Sequence, residues 1–236
     1  MNETVAQIVE GTKVFESGAS RVTALDGVSL AIEAGEFTAV AGPSGSGKTT
    51  LFNILGGLDS PTSGQVFLAG RPLSGMSSRM LAKLRLEKVG FVFQAYNLIP
   101  VLSAFENIEY PLILRKVPVA VRTPRVMEML EAVGLTGMAD RRPGQMSGGQ
   151  QQRVAVARAL VCDPALVLAD EPTANLDSAT GQALMDLMRR LNLEKGTTFL
   201  FSTHDQMVMD AATRLIKMKD GRVDSDLRGT RSPEQA

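Results

Sequence analysis

Eight consecutive residues, Gly42-Pro43-Ser44-Gly45-Ser46-Gly47-Lys48-Thr49, carry the clearest chemistry in the sequence. They match the Walker A pattern, and the spacing has a physical reason. Glycines let backbone N–H groups curl around phosphate oxygens, and a helix opening at Lys48 adds the partial positive charge of its N-terminus. Lys48 then reaches the β- and γ-phosphates, and the Thr49 hydroxyl, followed by Thr50, is placed to bind the nucleotide and ligate magnesium. The pattern implies a nucleoside triphosphate site. By itself it does not separate transporters from kinases or GTPases, although no Asn-Lys-x-Asp guanine-reading motif occurs.

A second acidic site follows at Leu166-Val167-Leu168-Ala169-Asp170-Glu171, an apolar run ending in two carboxylates. In this Walker B form Asp170 holds magnesium, indirectly or through water, and Glu171 polarises the attacking water as general base. Taken alone, two acids after a strand are also an ordinary solvated turn. A third feature, Met146-Ser147-Gly148-Gly149-Gln150, precedes a helical stretch containing Arg153 and Arg158. Ser147 with the N–H groups after it makes another helix-start anion grip, although Ser-Gly-Gly alone also reads as a cap and loop.

The elements that must position these groups are legible as alternating strand-like and helix-like segments, the pattern of a mainly parallel sheet wrapped by helices. Phe37 to Ala41, Val89 to Phe93, Leu166 to Ala169, Thr198 to Ser202 and Arg214 to Met218 read as strands, and three of them run into a polar residue of interest. Earlier, Val28, Leu30 and Ile32 alternate with polar or small residues up to Gly35, as in a half-buried antiparallel strand. Between Gln94 and Leu160 the strand signals stop. Arg122 to Ala132 and Gln150 to Leu160 read as helices there, punctuated by Pro118, Gly134 and Pro143. Leu184, Leu187, Met188 and Leu191 mark one face of a later helix. The expectation is a single α/β domain with a P-loop NTPase (RecA-like) core over 1–93 and 161–225, a small antiparallel β layer, an inserted all-helical subdomain over 94–160 and a frayed tail over 226–236.

Composition narrows the function. Lys plus Arg and Asp plus Glu are each 25, so no charge asymmetry favours nucleic acid or an anionic membrane surface, and no nucleic-acid partner is expected. The one cysteine, Cys162, excludes an internal disulfide and reads as core packing. No apolar run approaches the roughly 18 residues of a membrane span, and the start Met1-Asn2-Glu3-Thr4 has no secretory pattern, so action on a membrane would run through another polypeptide.

In the order of these motifs, the sequence resembles the ABC (ATP-binding cassette) ATPase family, whose signature is usually Leu-Ser-Gly-Gly-Gln. Met146 in place of that leucine keeps an apolar residue. The resemblance implies a head-to-tail homodimer in which Ser147, Gly148, Gly149 and Gln150 of one subunit close on ATP held by the Walker A loop of the other. It also implies that Gln94 senses magnesium and the attacking water, while its loop and the helical subdomain meet an integral membrane permease subunit. His204, the sole histidine, resembles the switch histidine that contacts the γ-phosphate. Asn175-Leu176-Asp177 resembles the D-loop, with Asp177 helping to join the two sites and also suited to cap the helix from Ser178. Phe15 occupies the place of the aromatic residue that stacks on adenine. ATP and Mg2+ are the implied ligands, and the implied location is the cytoplasmic side of the inner membrane, peripheral through the membrane partner.

Leu55-Gly56-Gly57-Leu58-Asp59, Gly90-Phe91-Val92-Phe93-Gln94, Asn97-Leu98-Ile99-Pro100, Glu106-Asn107-Ile108 and Leu168-Ala169-Asp170-Glu171-Pro172-Thr173 are similar to the lipoprotein-releasing and macrolide-exporter branch. That likeness implies extraction of lipoprotein or lipid, or efflux-type mechanotransmission. A cell-division-type signalling ATPase and a soluble ABC ATPase acting on DNA or ribosomes stay open beside it.

Overall fold

The computed structural model describes residues 3–17 and 20–229. Two sheets share the strands. Strands β1 (Thr4–Ser17), β2 (Ser20–Glu33), β4 (Ser63–Leu68) and β5 (Arg71–Pro72) form an antiparallel sheet in the order β2-β1-β4-β5. Strands β3 (Phe37–Ala41), β6 (Val89–Phe93), β7 (Leu166–Asp170), β8 (Phe199–Thr203), β9 (Arg214–Lys219) and β10 (Arg222–Arg228) form the larger sheet in the order β10-β9-β3-β8-β7-β6. All its neighbours pair in parallel except β10 with β9. The α/β architecture with an added antiparallel layer is as expected from the residue pattern.

The central strands β3, β7 and β8 are buried on both faces, which is why they read as largely apolar runs. Their period-two alternation divides the interior in two. Phe37, Ala39, Val167, Ala169, Phe199 and Phe201 point into one core, completed by helices α3 (Ala104–Leu114), α4 (Val119–Ala132), α5 (Gly148–Leu160) and α6 (Ser178–Lys195). Val40, Leu166, Leu168 and Leu200 point the other way, onto α1 (Lys48–Leu55) and the antiparallel sheet through Ile8, Leu25 and Ile32. Two further helices, α2 (Ser78–Lys88) and α7 (Gln206–Ala211), complete the set among the described residues. From Gln94 to Leu160 the chain makes only helices, including a 3-10 turn at Pro143–Gln145.

Local signals fix the helix starts that matter for function. Ser147 and Gln150 form a capping box: Gln150 N–H donates to Ser147 Oγ at 3.3 Å, and Ser147 N–H donates to Gln150 Oε1 at 2.9 Å. Asp177 caps α6 by accepting from Thr180 N–H at 2.9 Å. One expectation needs correction. The tail placed at 226–236 starts too early, because β10 continues to Arg228 as a charged edge strand. Asp226 accepts from Arg214 Nε at 2.8 Å and from a terminal guanidinium nitrogen at 2.7 Å. That pairing holds the Asp226 carboxyl below its ordinary range. A stretch rich in Arg, Asp and Ser thus reads as tail until its buried partner is known. The rest of that expected tail, 230–236, lies outside the described residues.

Candidate active site

The phosphate loop leaves β3 at Gly42 and enters α1 at Lys48. Two of its glycines are obligatory for steric reasons. A Cβ on Gly42 would collide with the Met218 carbonyl oxygen, and Gly47 combines φ of +100° with a collision against the Ala24 carbonyl oxygen. Gly47 is the N-cap of α1, with no side-chain cap and no acidic residue in the first turn. The first N–H groups of α1 are therefore left for an anion from outside the chain. Lys48 Nζ lies across the loop, donating to the Gly42 carbonyl at 2.7 Å and the Pro43 carbonyl at 3.0 Å.

Parallel strand pairing brings the other groups to the same edge. Ser44 through Thr50 line a cleft of about 660 Å³ together with Gln94, Asp170, Glu171, Ser202 and His204. That volume suits a nucleotide. Glu171 holds a left-handed φ of +48° and donates its N–H to the Ser202 carbonyl at 2.9 Å, which ties the end of β7 to β8. Backbone conformations of this kind persist where surrounding structure over-determines them, and they concentrate at functional sites. Glu171 Oε1 lies 2.7 Å from His204 Nδ1, while Oε2 is buried without a hydrogen-bond partner. With the carboxylate accepting, Nδ1 carries the hydrogen and Nε2 is left for another partner. Ser46 Oγ in the loop is likewise buried and unpaired. A larger open cleft, about 800 Å³, lies on the helical insert beside Phe105 and Arg142 and contains none of these groups.

Comparison with known proteins decides the family. The sequence pattern of the ABC transporter family matches residues 25–174, a span holding the phosphate loop, Gln94, Ser147–Gln150, Asp170 and Glu171. An "uncharacterized ABC transporter ATP-binding protein" of Thermotoga maritima is 48% identical over 220 residues, covering 93% of this chain and 94% of that protein. The chain belongs to the ABC transporter family. It is an ATP-binding subunit of that family, an ATPase whose hydrolysis is coupled to transport. Among solved structures, the ATP-binding cassette MJ0796 in a dimeric post-hydrolysis state bound to ADP and Pi is 43% identical with TM-score 0.87, covering 97% of this chain and all of that one. The cassette cbiO1 of Clostridium perfringens, part of the ABC transporter complex cbiONQ, is 30% identical with TM-score 0.86, covering 96% of this chain and 89% of that one.

Not every residue singled out in the sequence lies on the ABC cassette's cleft. Among the described residues, Gly42, Pro43, Phe15, Ser147, Gly148, Gly149, Gln150 and Asp177 are outside its lining. Gly42 and Pro43 act through the carbonyls that hold Lys48. Phe15 is 46% exposed and pairs across β1–β2 with Val22, which does line the cleft. Lys13 Nζ stands 5.0 Å from the centre of the Phe15 ring. The signature turn sits close to the loop after Gln94 and to the first turn of α6. A Cβ on Gly148 would lie 2.8 Å from the Tyr96 hydroxyl, and one on Gly149 would collide with Thr180.

Residues given no such role from the sequence build the scaffold behind Gln94. Arg158 of α5 donates to the carbonyls of Asn97 at 2.6 Å and Tyr96 at 2.9 Å, holding both in left-handed conformations. Burial pushes its guanidinium below the ordinary arginine range. Asn175 Nδ2 donates to the Gln94 carbonyl at 2.9 Å. Gln152 is a polar side chain on the buried face of α5. Its position on that face was the available signal.

Proposed function

We propose that two copies of this chain pair head to tail, each completing the ATP site of the other, and that their closing and opening drives a membrane subunit. One observation carries the reading. A single chain has an uncapped helix start in the cleft at α1 and a second helix start, at Ser147–Gln150, whose glycine N–H groups lie outside that cleft and beside the Gln94 loop. Geometry of this kind needs a second copy to bring the second grip to the phosphate. MJ0796, which is described as dimeric, supports the pairing.

Within the site, Glu171 takes the proton of the attacking water and His204, oriented by Glu171, reaches the γ-phosphate. Among the described residues no cluster of three or more His, Cys, Asp or Glu could hold a metal. Magnesium, which usually binds one or two carboxylates plus substrate phosphates and water, fits the Thr49 hydroxyl, Asp170 and Gln94 gathered at the cleft. There it would neutralise charge on the phosphate oxygens. The adenine ring stacks on Phe15. Replacing Phe15 with Ala should raise the KM for ATP about 10-fold with kcat little changed. Steady-state kinetics over an ATP titration checks this, and an unaltered KM would move the base elsewhere.

No helix among the described residues is long and apolar enough to cross a membrane. The membrane partner docks beside Gln94, where an open, mostly apolar groove of about 470 Å³ is lined by Leu58, Phe91, Phe93, Tyr110 and Cys162. In this reading the chain works on the cytoplasmic side of the inner membrane, peripheral through that partner. The branch-specific stretches favour a partner working by lipoprotein or lipid extraction, or by efflux-type mechanotransmission. Capture with a tagged Glu171→Gln chain from detergent-solubilised native membranes, in ATP and magnesium, tests the assignment. A membrane subunit with a large extracytoplasmic domain is the expected catch. Recovery of only ribosomal or DNA-bound proteins would overturn it.

A further inference from the structure

We propose that Gln152 is a positioning residue through which the nucleotide in one ATP site acts on Glu171 and Gln94 of the other. The proposal rests on the head-to-tail pairing above. Gln152 is fully buried on α5, two residues beyond Gln150. Its Nε2 donates to the Pro172 carbonyl at 2.8 Å and lies 3.4 Å from the Phe93 carbonyl. Pro172 directly follows Glu171, and Phe93 directly precedes Gln94. One side-chain amide therefore bridges the ends of β6 and β7, the two strands that deliver the water-handling groups.

Packing does not call for an amide here. Gln152 Oε1 is buried with no hydrogen-bond partner, a costly arrangement that an apolar side chain of similar size would avoid. What the position uses is the donor. The helix that carries it is firmly built at both ends of the path. Its first turn is the Ser147/Gln150 capping box, and six residues past Gln152 the Arg158 guanidinium holds the Tyr96 and Asn97 carbonyls. The Gln94 loop is thus tied to α5 on both sides. When Ser147–Gln150 closes on phosphate held by the partner chain, any shift of α5 reaches Phe93 and Pro172 through Gln152. The coupling runs through a contiguous chain of contacts, and its two ends belong to different ATP sites.

The full chain with Gln152→Met, which keeps an unbranched side chain without the donor, tests this alongside Gln152→Asn, which keeps the amide one methylene short. Fluorescent-ATP binding, kcat, KM, the Hill coefficient for hydrolysis and the Tm are measured for each. The expected result is a kcat lowered about 10-fold or more, as misplacement of reacting groups produces. The Hill coefficient should fall to one, while nucleotide affinity holds and Tm stays within a few degrees. If Gln152→Met does not fold, Gln152→Asn decides. Wild-type kcat and cooperativity in either folded variant would overturn the proposal, and so would a lowered kcat with cooperativity intact. Failure of the pairing itself has a separate signature: wild-type turnover that is non-cooperative and strictly proportional to protein concentration.

Discussion

Glu171→Gln should lower steady-state ATP hydrolysis by about 10³-fold, within the range that general-base catalysis supplies. The substitution changes little else. Gln has nearly the same shape and accepts the same backbone, so the Glu171 N–H to Ser202 carbonyl bond at 2.9 Å survives. What is lost is the carboxylate that faces His204 Nδ1 at 2.7 Å and whose second oxygen is buried without a hydrogen-bond partner. An amide does not take a proton from water at neutral pH. ATP affinity should hold, because the loop from Gly42 to Thr49 is untouched. With hydrolysis blocked, ATP keeps selecting the closed pair, so a stable dimer should accumulate in ATP and magnesium. Phosphate release and light scattering after gel filtration measure the two effects. Normal turnover would remove Glu171 as the base.

The second large effect is expected at the phosphate loop of the same cleft. Lys48→Ala removes a charged donor held by the Gly42 and Pro43 carbonyls at 2.7 and 3.0 Å, close to where the phosphates enter. Charge-assisted bonds of this kind contribute roughly 1.5–3 kcal/mol each, so ATP affinity or its catalytic use should fall about 100-fold. Loss of the two carbonyl contacts also loosens the loop around Gly42. Calorimetric titration with ATP, combined with a phosphate-release assay, separates binding from turnover. Wild-type values for both would contradict the placement of the phosphates.

The two variants act on groups that the sequence displays unequally. Lys48 sits in a contiguous motif whose glycines, spacing and preceding apolar strand are all local, so its role is readable from eight residues. Strands such as Phe37–Ala41 and Val89–Phe93 were legible for a related reason, since burial on both faces leaves a mostly apolar run, broken in the first only by buried Thr38. The Glu171–His204 contact spans 33 residues and depends on β7 and β8 lying side by side, which no local pattern states. Strand β1 was hidden because bulges near Glu10 and Gly11 break its alternation. Helix α2 was hidden because Leu84 is its one buried residue, leaving little amphipathic signal. Gln152 and Arg158 were visible as polar residues of a helix. Their carbonyl partners around Gln94 and Pro172 became visible only in the folded chain.

The most direct test of the central claim, that each ATP site is made from two chains, is complementation between two inactive variants. Lys48→Ala disables the phosphate loop but keeps Ser147–Gln150, and Ser147→Arg blocks the signature turn but keeps the loop. Phosphate release is measured for each alone and for an equimolar mixture. Mixed pairs would contain one site with both halves intact, so the mixture should hydrolyse ATP well above either variant alone. A mixture no more active than the mean of its components, under conditions where the wild-type chain turns over, would contradict the two-chain site.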